Sequence, residues 1–523
     1  MKRVVLALAV LLMPALTFAG GGGQQSSSSS GTSDGSQEMA ISLWFPMHAS
    51  DIAEQFSDAY GSPGLAALRA ATGVKINWTL SPAAGAAEQY NLMMASGDIT
   101  DVVILDAPTL KLYTAAWLPL DTIIKANPNR YPNLTKYVLE DSYVSTYLKD
   151  SDGHIRLIPQ IGSRRIGSVP MFRQDLLTQW GMKTPSTMDD WYAILSKAKS
   201  VGMIPYATRS GRGGITALFE GYLGGILEEY YEDNGVVKYG VLQPKFKEVI
   251  EIARQWYAEG LIDQEYPSNT ATTPWTEKML NGQAFATYDN AIRVADYNRQ
   301  YLASTSNNSS FRLAGTLPML NPDTGLTQTK GHYPKILTRC AAISAKAKNP
   351  ERILDMYEYC LSGEGTPGWI LMNFGIEGAG FNYDANGNPV MDANFQQKVA
   401  DGTMKHPIVT KDMPKLVKDE LYTNYNDNRE DHASQRAVRD LYAQPGIIVE
   451  NWIASLNFTA AERSTLTPIE AELDTYRSEM LDKFIMGIEP MSNWNAFVTR
   501  LQGMKLNQSI AVYQAALDRL LKN

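Results

Sequence analysis

Residue types able to do catalysis are present in this chain of 523 residues, but not at spacings that would let them act together. The five histidines, His48, His154, His332, His406 and His432, include no pair at metal-ligand spacing, so zinc hydrolysis has no support. The acidic pairs Asp189–Asp190 and Glu228–Glu229 could be imagined as a glycosidase's two carboxylates. That mechanism, however, needs groups set apart in three dimensions, and adjacent acids in a helical pattern read as a solvated face. SGRGGIT lacks the Lys and Ser/Thr order of a phosphate-binding loop, and no Gly-x-Gly-x-x-Gly follows a strand. GTSDG matches a serine-hydrolase elbow only formally, because no strand precedes it and no helix follows. In YDANGNP, residues 383 to 389, Asp384, Asn386 and Asn388 alternate as calcium ligands would, but the bidentate acid that ends such a loop is missing, so a β-hairpin turn is expected. No catalytic residue, metal or cofactor is predicted.

Binding chemistry is better represented, beginning with ASGDITDVVILDAP, residues 95 to 108. Gly97 and Asp98 form a turn, Val102 to Leu105 reads as a strand buried on both faces, and Asp106 with Pro108 ends it. In open α/β sheets, ligands sit beyond the carboxyl ends of such strands. Further strand-like runs at Ile41–Phe45, Val74–Trp78, Ala284–Tyr288 and Ala341–Ser344 alternate with helical patterns, which predicts an α/β fold. Ile510, Tyr513, Leu517 and Leu520 share one helical face, so the chain should end in an amphipathic helix packed on a core. ANPNRYPN (126–133), SGRGG (210–214) and NPDTG (321–325) read as loops. No internal repeat is visible.

The length calls for two or three domains, and 44% apolar residues suffice to bury them. The net charge of −8, or −10 if Lys2 and Arg3 leave with a leader, comes without a basic run that could follow a phosphate backbone, so nucleic-acid binding is not expected. Lys2 and Arg3 precede the apolar run Val4–Leu12, and Thr17-Phe18-Ala19 offers a cleavage site, which predicts a signal peptide over residues 1–19. Residues 20–38 are Gly- and Ser-rich and read as a flexible tether. Cys340 and Cys360 lie in a chain predicted to be exported; a disulfide and two buried thiols are both open.

The turn-and-strand segment, preceded by TGVKINWTLSPAAGAAEQYNLMM, resembles the extracellular solute-binding proteins of bacterial ABC importers, especially their large lipoprotein-like carbohydrate-binding group. Similar segments follow in order: MFRQDLLTQWGMKTPSTMDDWY (171–192), NGQAFATYDNA (281–291), AAISAKAKNPERILDMYEYCLSGEG (341–365), NFGIEG (373–378) and DKFIMGIEPMSNWNAFVTRLQGMKLNQSIAVYQAALDRL (482–520). The resemblance implies a two-lobed periplasmic-binding-protein fold of type II with an interlobe cleft, a hinge and a helical C-terminal extension. The chain would cross between lobes near residues 155, 333 and 405, giving lobe 1 residues 39–155 plus 333–405 and lobe 2 residues 156–332 plus 406–523. Some members carry a calcium loop after the segment matching TMDDWY, but here KAKSVGMIPYATRS follows without an acidic cluster, so calcium is not expected. Members anchored by lipid have a Cys after the leader; Gly20 stands in that place and argues against an anchor.

The implied function is a monomeric, non-enzymatic receptor, periplasmic or extracellular, that captures a carbohydrate, expected to be an oligosaccharide, and delivers it to ABC permease subunits. Sugar rings stack on aromatic faces, and their hydroxyls pair with charged or amide groups. Carried over segment by segment, the ligand residues would be Trp44, Asp106, Tyr288, Asp289, Trp369, Phe374 and Phe381, with Arg209 and Arg212 gripping hydroxyls or the carboxylate of an acidic sugar. The same fold binding a peptide or acidic sugar as a sensor subunit, and an exported glycoside hydrolase, are the alternatives.

Overall fold

Val102 to Leu105 are buried at every position, as a strand covered on both faces must be, and the first lobe is assembled around them. The structure is a computed structural model that describes residues 38–47, 63–82, 85–162, 167–209, 211–269, 277–291, 293–304, 310–330, 336–391, 413–417, 433–449 and 451–522. The leader, the tether with its GTSDG motif, His48, His332, His406 and His432 lie outside the described residues.

In chain order the strands are β1 (Met39–Met47), β2 (Val74–Pro82), β3 (Val102–Leu105), β4 (Leu157–Ile161), β5 (Ser168–Arg173), β6 (Ile204–Tyr206), β7 (Tyr230–Asp233), β8 (Val236–Tyr239), β9 (Ala284–Asn290), β10 (Leu313–Gly315), β11 (Ile336–Ile343), β12 (Phe381–Tyr383) and β13 (Pro389–Met391). Each of the five sequence-predicted strands is present, although β11 starts well before Ala341. The first sheet has the order β2-β1-β3-β11-β4 and the second β10-β5-β9-β6. In the first, β1 is parallel to β2 and β3, and helices Pro63–Thr72 and Ala86–Ser96 make the crossovers such neighbours require. β11 runs antiparallel to both β3 and β4. In the second sheet β6 is parallel to β9, and β5 antiparallel to it.

β4, which follows the expected crossing near residue 155, pairs with β11 in the first sheet. Residues 333 and 405, where the other two crossings are expected, lie outside the described residues. Leu416 pairs with Ile161, and helix Ala433–Tyr442 packs on β10 of the second sheet. The backbone of Ile161 donates to Lys415 O at 2.9 Å and accepts from Val417 N at 2.7 Å, which fastens that segment to the first sheet.

The terminal helices Ala460–Met486, Trp494–Gly503 and Leu506–Lys522 share a continuous apolar core with the second lobe. Leu517 and Leu520 are buried there, with Ile510 and Tyr513 partly buried against the same core, so the last helix presents the expected face. The extension also reaches the first lobe, where Lys111 Nζ donates to Asn457 Oδ1 at 2.7 Å. SGRGG is not wholly a loop: Arg212–Leu218 is helical. A Cβ on Gly214 would come within 2.8 Å of Thr208 Cβ, so the glycine permits a helix to pack closely where it was read as punctuation. YDANGNP forms the turn between β12 and β13, with Asp384 accepting from the N–H groups of Asn386 and Asn388 at 2.9 and 2.8 Å.

Cys340 and Cys360 are free thiols, both buried in the first-lobe core, and burial pushes each thiol up to about 12. Because the thiolate is the reactive form, a thiol reagent at pH 8 should modify neither residue in the native protein and both in denaturant. A denatured protein showing no free thiol would mean the sulfurs are bridged.

Candidate ligand site

The carboxyl ends of β3 and β4 lie beside the start of antiparallel β11, and Leu416 pairs with Ile161 at the end of β4. In the second sheet Ser168 of β5 lies opposite Asn290 at the end of β9, and parallel β6 ends on the same edge. Each sheet therefore has a carboxyl edge of the kind at which α/β sheets receive ligands.

On the first-lobe edge, Asp106 follows β3 in extended conformation and caps helix Ala107–Leu110, its Oδ1 accepting from Thr109 N at 2.9 Å. Oδ2 has no partner among the described residues. Trp44 is buried in β1 and packs against Tyr90, with ring centroids 5.9 Å apart, and Tyr90 meets Tyr113 edge-on at 5.7 Å. Tyr113 is 36% exposed, whereas Tyr90 is 1% exposed. Burial raises the Tyr90 hydroxyl above its ordinary pKa, helped by Tyr113 and by the Asp106 charge.

The second-lobe edge carries Arg209, just beyond β6, whose Nη1 donates to Asp289 Oδ1 at 2.8 Å. Asp289 is enclosed, with none of its side chain exposed, and its Oδ2 accepts from Tyr297 Oη at 3.1 Å. Arg209 keeps 39% of its side chain exposed, and its remaining nitrogens have no partner among the described residues. Tyr288 turns to Glu220, donating to Oε2 at 3.3 Å, and burial carries its hydroxyl well above the usual range. Glu220 Oε1 accepts from Lys330 N at 2.9 Å and from the Thr329 hydroxyl, which fastens the base of the second crossing.

The remaining sequence-predicted residues are distributed differently. Arg212 joins the helical extension, paired with Glu228, 3.4 Å from Asp482 Oδ1 and donating to Ser478 Oγ at 3.1 Å. Trp369, Phe374 and Phe381 form a cluster of their own, with centroids 5.5 and 5.6 Å apart and Leu416 against it. From the same helix, Asn373 Nδ2 donates to Leu416 O at 2.9 Å, so this cluster and its neighbour grip the segment that follows the Ile161 ladder. The structure thus unites Arg209 with Asp289 and groups the three aromatic residues, while Arg212 stands with the extension. Tyr90, Tyr113, Tyr297 and Glu220 carried no signal in the sequence, since each lies in an ordinary helical or loop pattern and gains its place through neighbours distant in the chain. Among the described residues there is no group of three His, Cys, Asp or Glu that could hold a metal ion.

Residues 53–367 match the family model of the bacterial extracellular solute-binding proteins. The chain belongs to that family. It is 28% identical over 221 residues to the fructooligosaccharide ABC transporter substrate-binding protein FusA of Streptococcus pneumoniae, covering 38% of this chain and 41% of FusA. It is 23% identical over 340 residues to lipoprotein LipO of Bacillus subtilis, covering 61% of this chain and 64% of LipO. The matches thus span less than two thirds of either relative. Among solved structures, an HMO-binding solute-binding protein from Bifidobacterium longum infantis superposes with a TM-score of 0.73 at 17% identity, over 93% of this chain and 99% of the other. At that identity the likeness establishes the fold, which in this solute-binding protein is the expected two-lobed α/β architecture with a helical C-terminal region.

Phe374 is 2% exposed, so Phe374→Ala should cost about 3 kcal/mol of stability through the cavity it leaves. The urea midpoint measures this, and an unchanged midpoint would show that the ring is not part of the packed cluster.

Proposed function

We propose that this protein is the substrate-binding component of an ABC importer, capturing an oligosaccharide between its lobes and delivering it to permease subunits. The observation that carries the reading is the chemistry of the two carboxyl edges. Aromatic rings and a carboxylate with an unused oxygen stand on one, and an exposed guanidinium anchored by a buried carboxylate stands on the other. A sugar needs both kinds of contact, apolar for its C–H faces and charged for its hydroxyls. Membership of the solute-binding family and the sugars for which FusA and the HMO-binding protein are named support the same class.

In this reading the lobes are residues 39–162 with 336–417, and 167–330 with 433–522, and the three crossings are the hinge. Ligand held by both edges favours the closed form to the extent that it contacts that form better than the open one. Asp106 and Trp44 serve the first lobe, and Arg209, oriented by Asp289, the second. Tyr288 and the Trp369–Phe374–Phe381 cluster shape the hinge flanks, and Arg212 secures the extension. The protein acts as an exported monomer without catalysis, its leader removed near Ala19. The outward nitrogens of Arg209 favour, as a second reading, a sugar that carries a carboxylate, since guanidinium and carboxylate match bidentately.

Thermal unfolding with kestose, lacto-N-tetraose and an alginate-derived mannuronate oligomer tests this, followed by product analysis of each hit. A ligand at about a hundred times its dissociation constant adds roughly 2.7 kcal/mol, a visible rise in Tm with the sugar recovered intact. A cleaved sugar would make the protein a hydrolase, and no shift with any of the three would sink the carbohydrate reading. Preference for the mannuronate oligomer, lost in Arg209→Ala, would establish the acidic ligand.

A further inference from the structure

The Tyr90 ring is part of the first-lobe core, but its hydroxyl has no partner among the described residues. The residue lies in helix Ala86–Ser96 and is 1% exposed. Buried hydroxyls are ordinarily paired, and leaving one unpaired costs the folded state. Tyr357, in the same first-lobe core as Tyr90, also has an unpartnered hydroxyl. Tyr90 differs in its surroundings, because the 36% exposed Tyr113 ring meets it edge-on with centroids 5.7 Å apart, and the Asp106 charge adds to the rise of its hydroxyl pKa. Asp106 spends one oxygen on Thr109 N, and the other has no partner among the described residues.

Tyr113 closes this place from outside. Its backbone, at φ −128 and ψ 46, breaks the helical path of Lys111–Ala116. Its ring is partly exposed, and its hydroxyl is held by one long hydrogen bond, 3.4 Å to Asn91 Oδ1. Little packing therefore opposes rotation of this side chain. Tyr113 and Trp44 both pack on the Tyr90 ring, with centroids 5.7 and 5.9 Å away, and Asp106 follows Val103 of β3, the register partner of Trp44, by three residues.

We propose that Tyr90 is a ligand-binding residue of the first lobe: its hydroxyl and Asp106 Oδ2 take adjacent hydroxyls of a sugar ring, and Tyr113 turns to stack on that ring. The proposal rests on the carbohydrate reading and adds to it a named subsite. It also accounts for the unpaired hydroxyl, which the ligand satisfies and the fold does not.

Tyr90→Phe separates the two roles a buried hydroxyl can have. Removing a structural hydrogen bond lowers stability, whereas removing an unpaired hydroxyl leaves it equal or higher. Tyr90→Phe should therefore keep or raise the ligand-free Tm while weakening binding about 5- to 10-fold, the worth of one hydrogen bond. Titration calorimetry of wild type, Tyr90→Phe and Tyr113→Ala with kestose, lacto-N-tetraose and the mannuronate oligomer gives the affinities. Tyr113→Ala should weaken whichever sugar binds by a similar factor through lost stacking. A lower ligand-free Tm for Tyr90→Phe, or affinities equal to wild type in both variants, overturns the assignment while the carbohydrate reading stands. If wild type binds none of the three sugars, that reading fails and the subsite falls with it.

Discussion

The backbone of Ile161 is the point on which the relation between the lobes depends. It is in register with Ile336 of β11, donates to Lys415 O and accepts from Val417 N. One residue at the end of β4 thus ties together the segments that lead into or out of each crossing. Backbone bonds of this kind are directional and cannot be satisfied by water once the strands are buried, so the crossings are held together at their first-lobe ends. Side chains reinforce the arrangement from two directions: Asn373 bonds to Leu416 O on one side, and Glu220 holds Lys330 N on the other.

The polar groups at the two sheet edges differ in how far the fold uses them. Asp289 is enclosed and spends both oxygens within the protein, which holds Arg209 in place. Arg209 shows the reverse pattern, with one nitrogen anchored and the rest of the guanidinium toward solvent. A pair of this kind avoids the cost of an isolated buried charge and yet presents a fixed donor at the surface. Asp106 follows the same logic on the opposite edge, where one oxygen caps a helix and the other is left over. Each edge therefore carries a charged group that is half structural, one part of it fixed by a bond within the protein.

Much of the framework was legible because it rests on local chemistry. The run Val102–Leu105 could only be a strand buried on both faces, the strand-like runs at Ile41–Phe45 and Ala284–Tyr288 were equally plain, and Leu517 with Leu520 announced the last helix. Asp384 and its asparagines formed the expected turn, since an Asx side chain bonds its own backbone two residues on. The misreadings arose where contacts distant in sequence overrode local signals. Gly213 and Gly214 suggested a loop, but close approach to Thr208 makes Gly214 part of a helix. The cysteines lie on adjacent elements of one core, and nothing local indicated that their sulfurs remain unbridged.

The sequence by itself determined the α/β class, the order of the strands along the chain, the amphipathic C-terminal helix and the family. These follow from periodicity and from the succession of segments, which need no knowledge of distant neighbours. Only the tertiary structure decided which sheet each strand joins, which arginine joins the extension and which stays at the edge, and that the Tyr90 hydroxyl is left unpaired among the described residues. Such outcomes depend on pairings between residues tens to hundreds of positions apart, such as Ile161 with Leu416, Arg209 with Asp289 and Arg212 with Asp482. The free energy of each pairing belongs to the folded geometry, and no residue taken alone carries a trace of it.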